Sequence, residues 1–172
     1  MKSSIVRASF CLVLLAGALP AASRSQESAS DVEITADVVY GHKDGMALTF
    51  DVFRPVEPNG AAILYMVSGG WVSRWTPPEG TARRFEELLD RGFTVLAVRH
   101  GSSPRYKVPE AEADVRRALR YVHKNATRLG IDSNRIGVFG GSAGGHLSLM
   151  LGLVSDEGQQ SNDPVLQAPS RV

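Results

Sequence analysis

The chain has 172 residues, 19 of them basic and 18 acidic, for a formal net charge of +1. With no block of like charge it lacks the electrostatic footprint of a nucleic-acid-binding protein, so nucleic acid is not an expected partner. A single cysteine excludes a disulfide framework.

Lys2 and Arg7 give the start of the chain a basic character, an apolar run covers Ala8 to Leu19, and Pro20-Ala21-Ala22-Ser23 follows. The run is short for a bilayer span, and it ends in small residues, the pattern of a signal peptide over residues 1–23 rather than of a membrane anchor. Cys11 would leave with it. Residues 24–30 are small and polar and read as a linker, and residues 31–172 have the length of one domain. The expected location is outside the cytoplasm, in the periplasm or beyond the cell, with no stable membrane span after cleavage.

Val38-Val39-Tyr40 and Met46–Phe53 flank Asp44-Gly45, a hairpin signal. Leu48, Phe50 and Val52 alternate with Thr49, Asp51 and Phe53, as in a half-buried antiparallel strand. Ala61–Val67 and Phe93–Val98 are continuous apolar runs, suited to strands covered on both faces. Between them Glu79–Arg91 is predicted to be helical, with Phe85, Leu88 and Leu89 on one face and Gly92 as its stop. Glu110–Leu129 is predicted as the longest helix, because Val115, Ala118, Leu119, Val122, Ala126 and Leu129 recur at steps of three and four. Ile136–Phe139 forms the next short apolar run, and Ser155–Val172 is a polar tail broken by Pro164 and Pro169. Strands and helices alternate after an antiparallel start, so the fold class is α/β with parallel strand–helix–strand units. In such sheets, sites lie at the carboxyl ends of the strands.

The stretch that names a chemistry is Gly140-Gly141-Ser142-Ala143-Gly144-Gly145, set between Ile136–Phe139 and an apolar helix-forming run. Strand, sharp turn and helix with serine at the apex is the G-x-S-x-G nucleophile elbow in its required setting. The strand and helix pass so close that Gly140 and Gly144 are needed where any Cβ would collide. The helix N-terminus offers unpaired N–H groups, which makes the Ala143 N–H a candidate oxyanion donor. A P-loop reading fails because His146-Leu147 follows the last glycine instead of Lys and Ser or Thr. A second donor is expected from the loop after the third strand, Ser68-Gly69-Gly70-Trp71, through Gly69 and Gly70. Trp71 and Trp75 are candidates to line the substrate pocket. His42, His100, His123 and His146 all fall outside the chain order Ser, acid, His of this elbow type. His146 is expected to pack. Asp156, Glu157 and Asp163 follow Ser142 too soon for another strand to carry them to the site. No metal-ligand cluster is visible and no cofactor is expected.

In order and spacing several segments resemble the α/β-hydrolase superfamily, and more narrowly the secreted bacterial feruloyl-esterase-like group near the hormone-sensitive-lipase-like branch. They are Tyr40-Gly41 with Asp44-Gly45, Asp51–Pro55, Ser68–Trp71, Ser103-Pro104, Val108-Pro109 with Asp114-Val115, Gly130–Asp132 with Arg135-Ile136, and Gly140–Leu147. The resemblance implies the N-terminal portion of an α/β-hydrolase domain, with Ser142 as nucleophile and Gly69, Gly70 and Ala143 as the oxyanion hole. Many relatives have His-Gly-Gly-Gly-Trp where this chain has Val67-Ser68-Gly69-Gly70-Trp71. Relatives also continue into strands that carry the triad acid and histidine, so the chain reads as the front portion of a longer enzyme, inactive by itself. The expected activity is hydrolysis of small or carbohydrate-linked carboxylic esters through an acyl-serine intermediate. The alternatives are a peptidase of the prolyl-oligopeptidase type, against which the short region before the sheet argues, and a non-catalytic binding protein that kept the elbow.

Overall fold

The computed structural model describes residues 32–172; the expected signal peptide and linker lie outside them. Strands β1 (Val32–Lys43) and β2 (Met46–Pro55) form the predicted hairpin. Asp44 and Gly45 both adopt positive φ, 47° and 79°, the primed turn that matches the right-handed twist of its strands. β1 is longer than its sequence signal, and irregularities in the pairing between Thr35 and Val38 and between Val39 and Gly41 interrupt its alternation.

Strands β3 (Ala62–Met66), β4 (Thr94–Val98) and β5 (Ile136–Phe139) complete a five-stranded sheet in the order β1-β2-β4-β3-β5. β2 pairs antiparallel with β4, whereas β3 lies parallel to both β4 and β5. All five residues of β4 are buried, as its unbroken apolar run requires. Alternation divides the core between the two faces of the sheet. Leu64, Met66, Leu96 and Val98 pack with Val115, Leu119, Leu147 and Leu151, while Phe53, Val95 and Ala97 pack with Ala82, Phe85 and Leu89.

The residues on the second face come from a broken helical segment, a correction to the single helix expected over Glu79–Arg91. It consists of α1 (Pro78–Thr81), a 3₁₀ turn (Ala82–Phe85) and α2 (Glu86–Leu89). The 3₁₀ turn puts Ala82 and Phe85 on the same side, and Phe85 meets Phe53, Tyr65 and Phe139 edge-on. The other face is covered by α3 (Val108–Lys124) and α5 (Ala143–Leu153). The long predicted helix also divides. Asn125 leaves helical geometry, and its side-chain amide donates to the Tyr121 carbonyl. A short α4 (Ala126–Leu129) follows and is capped by left-handed Gly130.

The polar tail has no helix or strand, yet it is fastened to α3 by arginines. Arg120 is 1% exposed, pairs with Asp156 at 2.6 Å and donates to the carbonyls of Leu166 and Ala168. Arg117 pairs with Asp163 at 2.6 Å, and Arg116 donates to Ser170 Oγ at 3.0 Å. Among the described residues no helix is long and apolar enough to cross a membrane.

Candidate active site

Because β3, β4 and β5 are parallel, the segments that follow them emerge at one end of the sheet. These segments are Val67–Pro77, Arg99–Lys107 and Gly140–Ser142. Ser142 has φ 52° and ψ −120°, a conformation that L-residues avoid unless the surroundings enforce it. The enforcement is steric. A Cβ on Gly140 would lie 2.6 Å from the Gly144 backbone, and one on Gly144 would lie 2.6 Å from the Met66 carbonyl oxygen. The turn therefore closes only with glycine on both sides of the serine. The Ser142 hydroxyl does not cap its own helix, and its residue is exposed at the apex. A Cβ on Gly144 would also come within 3.5 Å of the Ser68 carbonyl oxygen, so the elbow and the loop after β3 are in contact.

Ala143 is the first residue of α5, is 6% exposed, and its N–H has no partner among the described residues. The loop after β3 departs in part from expectation. The Gly69 N–H donates to the Val72 carbonyl at 3.0 Å, and the Val72 N–H returns the bond to Gly69 at 3.0 Å. In this conformation Gly69 has no donor left for a substrate oxygen. Its place in the expected oxyanion hole is corrected to that of the residue closing the turn. Gly70 keeps a backbone N–H without a partner among the described residues, as does Ser68. Gly70 and Trp71 have φ of 57° and 65°, and the turn is pinned from outside by the Ser103 N–H donating to the Trp71 carbonyl at 2.9 Å.

The two tryptophans separate. Trp71 packs against the core and meets His146 edge-on at 5.2 Å, so it joins the loop to the elbow helix. Trp75 is 55% exposed and borders a cavity of about 430 Å³ with Ser73, His100, Arg105 and Tyr106.

Among the described residues no histidine side chain is hydrogen-bonded to Ser142. His146 faces Trp71, His123 bonds the Arg171 carbonyl, and His100 lies between Ser68 Oγ and the Gly101 carbonyl. His42 lies near the end of β1. The acids after Ser142 are also committed: Asp156 to Arg120, Asp163 to Arg117 and Glu157 to Arg171. Hydrogen bonding to Arg120 holds the Asp156 carboxyl below its ordinary range, and the Val165 N–H does the same for Asp163.

The sequence offers Ser68 and His100 separately and gives no sign that they pair. Ser68 and His100 lie two positions beyond the paired residues Met66 and Val98 of parallel neighbours, and their side chains bond at 2.8 Å. The signal that finds them is register, which a single sequence does not contain.

The strand order, the strained serine on a glycine-walled turn and the adjoining loop define the N-terminal part of an α/β-hydrolase sheet. The BD-FAE family profile matches residues 50–170, from β2 through the tail. The chain belongs to the BD-FAE family. An ethyl acetate hydrolase from Pseudomonas putida is 32% identical over 127 residues, covering 72% of this chain and 40% of the relative. Esterase LipC from Mycobacterium tuberculosis is 35% identical over 136 residues, covering 76% of this chain and 31% of the relative. Among solved structures, a truncated carbohydrate esterase from gut microbiota superposes with a TM-score of 0.68 at 28% identity, over 81% of this chain and 54% of that one. This BD-FAE chain thus spans well under half the length of these two curated relatives and about half of that solved chain.

Proposed function

We propose that this chain carries the nucleophile and oxyanion-binding half of a serine carboxylic ester hydrolase. The observation that carries the reading is Ser142 at φ 52° on the glycine-walled turn, with the N–H of Ala143 beside it. Ser142 Oγ attacks the ester carbonyl, the carbonyl oxygen becomes negative, and the N–H groups of Ala143 and Gly70 receive it. Loss of the alcohol leaves an acyl-serine, which water hydrolyses. An unassisted serine hydroxyl is a weak nucleophile, so the reaction needs a base and an acid that orients it. The chain order Ser, acid, His of this elbow type, the hydrogen bonds of His100 and His123, and the pairing of Asp156, Glu157 and Asp163 with arginines support a base and acid contributed from outside residues 32–172, and residues 1–172 by themselves are inactive. The relatives' names support small or carbohydrate-linked esters as substrates. The pattern of residues 1–23 supports export from the cytoplasm.

The test uses the longest gene product that carries this sequence. It hydrolyses p-nitrophenyl acetate and is labelled by a fluorophosphonate probe, and Ser142→Ala abolishes both while the fold persists. Turnover that survives in the alanine variant places the nucleophile elsewhere.

A further inference from the structure

We propose that His100 is a positioning residue for the oxyanion loop, acting through the Ser68 hydroxyl to hold the Ser68–Trp71 turn in the shape that presents the Gly70 N–H. This deepens the esterase reading and rests on it.

The protonation pattern follows from the partners. His100 Nδ1 lies 2.8 Å from the Gly101 carbonyl oxygen, which only accepts, so Nδ1 carries the hydrogen. Nε2 of the neutral ring is then a bare acceptor, and the Ser68 hydroxyl 2.8 Å away donates to it. The ring is 5% exposed, and burial lowers its pKa, which favours this neutral form. With both nitrogens engaged, His100 is not the base for Ser142. With its proton aimed at the imidazole, the Ser68 hydroxyl is likewise not a donor to substrate. Both act on the reaction only through where they hold the backbone.

The backbone they hold is one that needs holding. Two successive left-handed residues, Gly70 and Trp71, follow the Gly69 bridge, and a bulky residue at φ 65° persists only when its surroundings over-determine it. The far side of the turn is tied by the Ser103 N–H to the Trp71 carbonyl, and Ser73 N–H donates to Ser102 Oγ at 2.9 Å. The near side is tied by the Ser68–His100 bond. His100 itself stands on a rigid base. Its N–H donates to Ser73 Oγ at 3.3 Å, the next residue's N–H donates to Asp114 Oδ2 at 2.9 Å, and Lys43 Nζ holds Asp114 at 3.0 Å. The near side of the turn is thereby referenced to the end of β4 and, through Asp114, to α3.

The experiment compares Ser68→Ala, His100→Leu, His100→Gln and the Ser68→Ala/His100→Leu double variant in the longest gene product, with p-nitrophenyl acetate as substrate. Deleting a single oxyanion donor costs about 10²–10³ in kcat, and a misplaced one costs up to about 10²-fold. Ser68→Ala and His100→Leu are each expected to lower kcat by that amount with KM little changed, and the double variant to lose no more than either single one. Gln retains an acceptor near the Nε2 position and is expected to recover most of the rate. Side-chain ¹⁵N spectra of His100 give a readout independent of turnover: a protonated Nδ1, and a bare Nε2 whose resonance moves in Ser68→Ala. A protonated Nε2 in the neutral ring, or an unchanged kcat in both Ser68→Ala and a folded His100 variant, overturns the proposal. Absence of turnover in the unmutated protein instead overturns the esterase reading, and the spectra then decide the Ser68–His100 bond alone.

Discussion

Gly140 and Gly144 stand four residues apart on either side of the serine apex, and a Cβ on the first would lie 2.6 Å from the backbone of the second. The obstruction is main chain on both sides, so no side-chain rotation relieves it. A Cβ on Gly144 would meet the Met66 carbonyl as well, again at 2.6 Å. Gly144→Ala is therefore expected to cost about 1–3 kcal/mol, the range for overpacking a close-packed site, and to move Ser142. A denaturant melt checks the first effect and fluorophosphonate labelling the second. An alanine variant as stable and as reactive as the parent would show that the elbow has slack that these contacts deny.

The hairpin turn gives a contrasting case. Gly45 sits at φ 79° with nothing near its Cβ direction, so strain alone opposes a side chain there. Gly45→Ala is expected to cost about 1 kcal/mol and leave Ser142 reactivity unchanged. Equilibrium unfolding and probe labelling of the same variant test both halves.

Stability is expected to fall in two steps on acidification. Burial lowers the His100 pKa in the folded state. Its contribution is whole above the unfolded value of about 6.5 and is lost as pH drops below that, until the imidazole charges in the folded protein. The Asp156 and Asp163 carboxyls are also depressed, by the Arg120 bond and the Val165 N–H respectively. Their contribution is whole above the unfolded value of about 4 and is lost as pH falls through the folded values. Denaturant midpoints measured from pH 8 to 3 should show both windows. His100→Gln should remove the upper one, and Asp156→Asn should shrink the lower one.

Residues 32–172 expose Leu149 and Leu153 on α5, at 63% and 79%, and Phe139 at the end of β5 at 38%. Among the described residues β5 pairs only with β3. An apolar face beside an open strand edge favours self-association. The 172-residue chain is expected to sediment as oligomers or aggregate at micromolar concentration, and Leu149→Glu with Leu153→Glu to shift it toward monomer. A monodisperse monomer of the unaltered chain would sink this expectation.

Export is testable without the fold. Residues 1–25 fused to a reporter are expected to direct it out of the cytoplasm, with cleavage near Ala22, because the basic start, short apolar run and small residues coincide. A reporter retained in the membrane with its N-terminus intact would point to an anchor.

What the sequence determined by itself was local. The elbow was legible because its steric demand falls between residues two positions either side of Ser142. The Asp44-Gly45 turn was legible because φ > 0 at both positions selects those residue types, and β4 because burial on both faces demands an unbroken apolar run. The tertiary structure decided whatever depends on partners distant in sequence. The expected helix over Glu79–Arg91 broke into a 3₁₀ turn because Phe85 answers to Phe53, Tyr65 and Phe139 rather than to its own periodicity. Gly69 looked equivalent to Gly70 in sequence, yet it closes the turn onto Val72. Ser68 and His100 meet only because β3 and β4 lie parallel in a particular register. Steric exclusion and periodicity act over a few residues and leave a mark in composition. A hydrogen bond across 32 positions is set by strand register, and no residue pattern near either partner records it.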